Sequence, residues 1–160
     1  MKQRLSALLV HHEADPLRAL EQSLRNQSLK TARARSCREV WQALTSADPP
    51  HLVFTDTKLP DGSWVEVLAL ATKSPVPVNV IVVGRIVDTR VYVEAIEAGA
   101  FDFVVPPFAV ADLDYVVRCA ADNVLARRQA GSDAAGSRPP GLFSPAPQVG
   151  LQVTERAEIS

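Results

Sequence analysis

The sequence predicts an α/β fold, a doubly wound parallel sheet of five βα units in strand order 2-1-3-4-5. Three observations predict it. Short apolar runs alternate five times with stretches whose apolar residues recur at helical spacing. The run Val78 to Val83, interrupted only by Asn79, is apolar on both faces, as a strand covered on both sides requires. The 160 residues, 47% apolar and 22% charged, suit one ordinary core and are too few for a two-domain enzyme.

Each unit has its own local signals. Leu8-Leu9-Val10 reads as a buried strand, and Asp15 then offers an N-cap with Pro16 at the first helical position, so that Leu17, Leu20 and Leu24 share one face. A second strand is expected over Leu29 to Ala34. Ser36 and Glu39 form a capping-box pattern opening a helix that turns Val40, Ala43 and Leu44 inward and stops before Pro49-Pro50. The third strand, His51 to Thr55, ends at Asp56. His51, at its far end, is expected at the surface. A Pro60-Asp61-Gly62 turn leads into a helix carrying Val65, Val67, Leu68 and Leu70. After the fourth strand, Asp88 or Thr89 caps a helix ending at Gly99, and Phe101 to Val105 is the fifth strand. The last helix, Ala111 to Arg128, buries Leu113, Val116, Val117, Ala120 and Val124. These units make residues 1–128 one domain. The glycine- and proline-rich stretch 129–160 lacks an apolar period and is expected to be a disordered tail.

Charge and cysteine content narrow the function classes. Seventeen Lys plus Arg against eighteen Asp plus Glu give a net charge of -1, which argues against a whole-protein nucleic-acid or membrane binder. The two cysteines, Cys37 and Cys119, make neither a disulfide framework nor a C-x-x-C site, and point to a reducing, cytoplasmic compartment. Cys37 is expected to be a structural thiol. The apolar run Leu5 to Val10 is too short for a signal peptide, and no window has transmembrane length. Nucleotide-binding and hydrolase loop motifs are absent, so no catalytic function of its own is expected.

Doubly wound sheets bind ligands beyond the carboxyl ends of their strands, where the strand order reverses. In this order that crevice lies between strands one and three and gathers His11, His12, Glu13 and Asp56. Leu8-Leu9-Val10 with a polar triplet, Leu52-Val53-Phe54-Thr55-Asp56-x-x-Leu59-Pro60-Asp61-Gly62, Ala95-x-x-Ala98-Gly99-Ala100-Phe101-Asp102-Phe103 and Pro107-Phe108 follow in order. Over residues 5 to 128 this pattern resembles the receiver domain of two-component response regulators, a flavodoxin-like fold.

The resemblance implies roles. Asp56 matches the aspartate phosphorylated by a histidine kinase. The acid pair that holds magnesium falls on His11 and His12, the hydroxyl residue after strand four on Gly84, and the lysine before a cis proline on Pro106. Phe103 matches the aromatic switch position. Imidazoles are poor magnesium ligands, Gly84 lacks a hydroxyl and Pro106 lacks an amine, leaving Glu13 and Asp56 as a thin oxygen site. A stand-alone, degenerate receiver that binds a signalling protein without phosphorylation is therefore expected, with no cofactor. An active phosphoacceptor using Asp56 and magnesium is the alternative, and a transition-metal module on His11 and His12 is a third.

From Arg90 to Arg118 no basic residue interrupts Glu94, Glu97, Asp102, Asp112 and Asp114. In the receiver family this fourth-helix, fifth-strand and fifth-helix face makes output and dimer contacts, so a signalling protein or a second copy is expected there, and a histidine kinase is among the partners the resemblance implies. Arg25, Lys30, Arg33, Arg35 and Arg38 cluster around the second strand, where basic residues protect a sheet edge.

Overall fold

The computed structural model describes residues 4–12, 17–25 and 27–134. Five parallel strands, β1 (Ser6–Val10), β2 (Lys30–Ala34), β3 (Leu52–Asp56), β4 (Asn79–Val83) and β5 (Asp102–Val104), are ordered β2-β1-β3-β4-β5. Five helices intervene: α1 (Leu17–Leu24), α2 (Cys37–Leu44), α3 (Trp64–Thr72), α4 (Thr89–Glu97) and α5 (Val110–Ala134). A short antiparallel ladder, Lys58–Leu59 with Gly62–Ser63, follows β3.

Strand alternation divides the core in two. Leu9, Phe54 and Ile81 face α1 and α5, packing on Leu17, Leu20, Leu113 and Val124. Leu8, Val53 and Val82 face α2, α3 and α4, packing on Val40, Leu44, Val67 and Ala95. The central strands β3 and β4 are buried from end to end, as double coverage requires.

Helix ends follow side-chain chemistry. The Ser36 hydroxyl accepts from the Glu39 N–H at 3.2 Å, while Glu39 reaches past the expected box to accept from the Arg35 N–H. A full capping box sits instead at Ser63 and Glu66, opening α3. Asp88 caps α4 by accepting from the N–H groups of Arg90 and Val91. Gly99, with φ 110°, ends α4 in a Schellman turn: its N–H donates to Ile96 and that of Ala100 to Ala95. The Pro106–Pro107 peptide is cis.

Two expectations change. His51 is buried, at 1% exposure, rather than at the surface. Its Nδ1 accepts from the Ser6 backbone N–H at 3.1 Å, which draws the ring beneath the start of β1. The last helix runs past Arg128 to Ala134, because Gln129 and Ala130 are good helix formers and one glycine, Gly131, costs only about 1 kcal/mol there. Thus the first six positions of the expected tail are helical. The remainder, 135–160, lies outside the described residues, as do Asp15 and Pro16. Of the apolar residues on α3, Val65 is 49% exposed, whereas Val67 and Leu68 carry the buried face.

Candidate functional site

Asp56 ends β3 with its side chain 3% exposed, and both carboxylate oxygens are engaged. Oδ1 accepts from the Thr57 N–H at 2.7 Å, and Oδ2 pairs with the Arg85 guanidinium at 3.3 Å. The strand delivers the carboxylate to the crevice, while the loop after β4 delivers the cation. Arg85 is 47% exposed, so the pair is open to solvent on its cationic side. A cleft of about 370 Å³ opens here, lined by His12, Asp56, Thr57, Lys58, Leu59, Pro60 and Arg85.

His12 lines that cleft, whereas His11 does not. The His11 N–H donates to the Ala34 carbonyl, extending the β1–β2 ladder by one position, so the two imidazoles leave the chain in different directions. Glu13 lies outside the described residues. Among the described residues Asp56 is the sole carboxylate lining the cleft, and no group of three or more His, Cys, Asp or Glu side chains is placed to hold a metal. Magnesium wants several hard oxygen ligands in near-octahedral array, and among the described residues lining the cleft Asp56 is the one carboxylate that would hold it.

Gly84 is not open space. A Cβ built there would stand 2.6 Å from the Phe103 Cζ and 3.1 Å from its Cε1. The Phe103 ring fills the volume that a side chain after β4 would occupy. It packs on the α2–α4 core and meets Tyr92 edge-on, centroids 6.2 Å apart. Pro106 follows β5 and offers no cation; Arg85 supplies one from the neighbouring loop.

Sequence reasoning missed Arg85 and Lys58. Both follow the carboxyl end of a central strand, the position that defines the crevice, and that rule was the available signal. Asp61 was read as a turn residue, yet it accepts from the Cys37 and Arg38 N–H groups at 2.8 and 3.2 Å. The bond from Cys37, chiefly, holds its carboxyl below the usual range. It thereby ties the post-β3 loop to the start of α2.

On the acidic face Glu94, Glu97 and Asp112 are exposed. Asp114 pairs with Arg118 at 2.7 Å. Asp102 differs: it is half-buried, accepts from the Phe103 N–H, and burial pushes its carboxyl up. Exposed Val87, Tyr92, Val93 and Ile96 interleave with these acids.

Residues 7–118 match the response regulator receiver domain. The chain belongs to that family. It is 34% identical over 119 residues to the response regulator protein PilR of Pseudomonas aeruginosa, covering 73% of this chain and 26% of that protein. It is 36% identical over 108 residues to the transcriptional regulatory protein PrrA of Mycobacterium tuberculosis, covering 66% of this chain and 45% of that one. The chain thus spans less than half the length of either relative. Among solved structures it is similar to the receiver domain of an HD domain-containing protein from Pseudomonas fluorescens (TM-score 0.71, 22% identity, 81% of this chain and 95% of that one). It is also similar to a CheY-like receiver domain from Methanospirillum hungatei (TM-score 0.64, 21% identity, 78% and 98%). Receiver domains are signalling modules of two-component systems, working with histidine kinases and other signalling proteins. Among the described residues no helix is long and apolar enough to cross a membrane.

Proposed function

We propose that this receiver unit signals by binding another protein through its α4–β5–α5 face, in a manner independent of phosphorylation. The observation that carries the reading is the contact of Phe103 with Gly84: the ring already occupies the place from which a hydroxyl residue would report the state of Asp56. The aromatic position is then set by packing alone, and the face beside it keeps one arrangement. Asp56 fits the role of a retained carboxylate that caps its own loop and pairs with Arg85. The exposed acids Glu94, Glu97 and Asp112 suit a basic partner surface, and the adjoining apolar side chains supply contact area. No catalytic role, cofactor, nucleic acid or membrane enters this reading, and the compartment is cytoplasmic.

One observation favours a second reading, in which Asp56 accepts a phosphoryl group from a histidine kinase. Arg85 provides beside Asp56 the cation that Pro106 cannot, and an arginine is well suited to phosphoryl oxygens. Trp64, whose N–H donates to the Thr57 carbonyl, reports on the loop next to Asp56 and separates the readings. Titrating magnesium with acetyl phosphate present should leave its fluorescence flat. Saturable quenching that vanishes in Asp56→Asn overturns the phosphorylation-independent reading, and a response to zinc alone transfers support to the metal-binding use of His11 and His12.

A further inference from the structure

The two edges of the sheet carry opposite charge. β2 pairs only with β1, and β5 only with β4, so these strands are the edges. On the β2 side Lys30, Arg33, Arg35 and Arg38 are exposed; Arg33 pairs with Glu21, while Lys30, Arg35 and Arg38 have no ion-pair partner among the described residues. On the β5 side Glu94, Glu97 and Asp112 likewise have none among the described residues. Four inter-strand spacings, about 19 Å, separate the edges, so one copy cannot bring the two charge clusters together.

Shape is complementary as well. The Lys30 N–H donates to Leu5 and the Ala34 carbonyl accepts from His11, which leaves the backbone groups of Thr31 and Arg33 turned outward from the sheet. Beside this free edge runs a groove of about 250 Å³ lined by Leu8, Lys30, Ala32, Ala43, Asp48 and Pro50, open because Ala32 and Ala43 are small; its apolar wall takes the apolar side chains and the exposed basic residues of the edge take the acids. On the opposite edge Tyr92, Val93 and Ile96 form an exposed apolar stripe along α4, with Arg90 at its start and the acids Glu94 and Glu97 toward its end. An apolar projection and a pocket at different places on one molecule make a heterologous contact, which repeats without closing.

We infer that copies of this chain associate head to tail, the acidic α4 stripe of one copy seated on the basic β2 edge and groove of the next. The contact shares the α4 stripe with the partner surface proposed above, so self-association and partner binding compete; it is independent of the state of Asp56. Being made by exposed charges, it is weak and salt-sensitive.

Sedimentation of the full chain tests this. At about 50 mM salt the average mass should rise with concentration above the 17.3 kDa monomer, and at about 0.5 M salt it should return to it. Glu94→Gln with Glu97→Gln, and separately Lys30→Gln with Arg35→Gln, should each weaken self-association about tenfold or more. Mixing the two variants should restore a one-to-one dimer that does not grow, since each supplies the surface the other lacks. A wild-type chain that stays monomeric at low salt overturns the inference. So does a basic-edge variant that still dimerises, which is the behaviour of a symmetric α4–β5–α5 dimer, or a mixture of folded variants that stays monomeric. None of these results bears on whether Trp64 responds to magnesium, so the two proposals fail separately.

Discussion

Replacing Gly84 by alanine puts one methyl group where the Phe103 ring already sits. The new Cβ would lie 2.6, 3.1 and 3.4 Å from three ring carbons, against the roughly 3.5 to 4.0 Å at which carbon atoms rest. The ring must withdraw by about 1 Å, and it can do so only by leaving its rotamer or its packed seat against Tyr92. Over-packing of this kind costs about 1–3 kcal/mol. Urea unfolding at constant m value gives the number directly. The same substitution in a Phe103→Leu background should cost much less, so the double-mutant cycle should show a coupling of about 1 kcal/mol or more. A Gly84→Ala variant as stable as wild type, or an equal cost in both backgrounds, would refute the claim that this ring excludes a side chain at position 84.

Other outcomes follow from the same geometry. Burial, and secondarily Arg128, depresses the His51 pKa below its usual 6.5, while Asp48 opposes them more weakly. The unfolded chain therefore binds the proton first, and stability should be unaffected above pH 6.5 and fall as the pH drops below it, a dependence that His51→Asn should flatten in melting curves. Arg128 donates to the carbonyls of Pro50 and Pro77 at 2.7 and 2.8 Å, clasping α5 to the starts of β3 and β4. Arg128→Met should cost about 2 kcal/mol in urea, whereas Arg118→Ala, which breaks only an exposed pair, should cost about 0.5 kcal/mol or less. Equal losses would remove the clasp from the account. Burial, with Asp61 and Glu66 nearby, pushes the Cys37 thiol up to about 11. At pH 8 only about one Cys37 in a thousand is thiolate, so a thiol reagent should modify it far more slowly than an ordinary cysteine, and rapid modification of both cysteines would contradict this.

The layered fold was legible because every unit but the second, whose strand reads Lys-Thr-Ala-Arg-Ala, carried two agreeing signals, an apolar run and a helix boundary. Gly99 as a helix stop and Asp88 as a cap rest on local chemistry that needs no tertiary context. His51 was misplaced because its burial depends on a backbone N–H 45 residues away, from Ser6, which no local pattern discloses. The end of α5 was set too early, since composition marks where apolar periodicity stops and not where backbone hydrogen bonding does. At the site, Asp56 and the unusual identities of Gly84 and Pro106 were visible through the resemblance. The consequence of Gly84 was not: that its missing side chain makes room for Phe103 is a contact between β5 and the residue that follows β4. Arg85 escaped attention because a charge in a loop is ordinarily just solvated, and only the fold brings it to Asp56.

The central claim, that the α4–β5–α5 face does not respond to Asp56, is tested most directly by amide NMR of the full chain with and without magnesium and acetyl phosphate. The account predicts that the resonances of Tyr92, Phe103 and Glu94 stay where they are. Saturable shifts at Tyr92 and Phe103 that disappear in Asp56→Asn would contradict it.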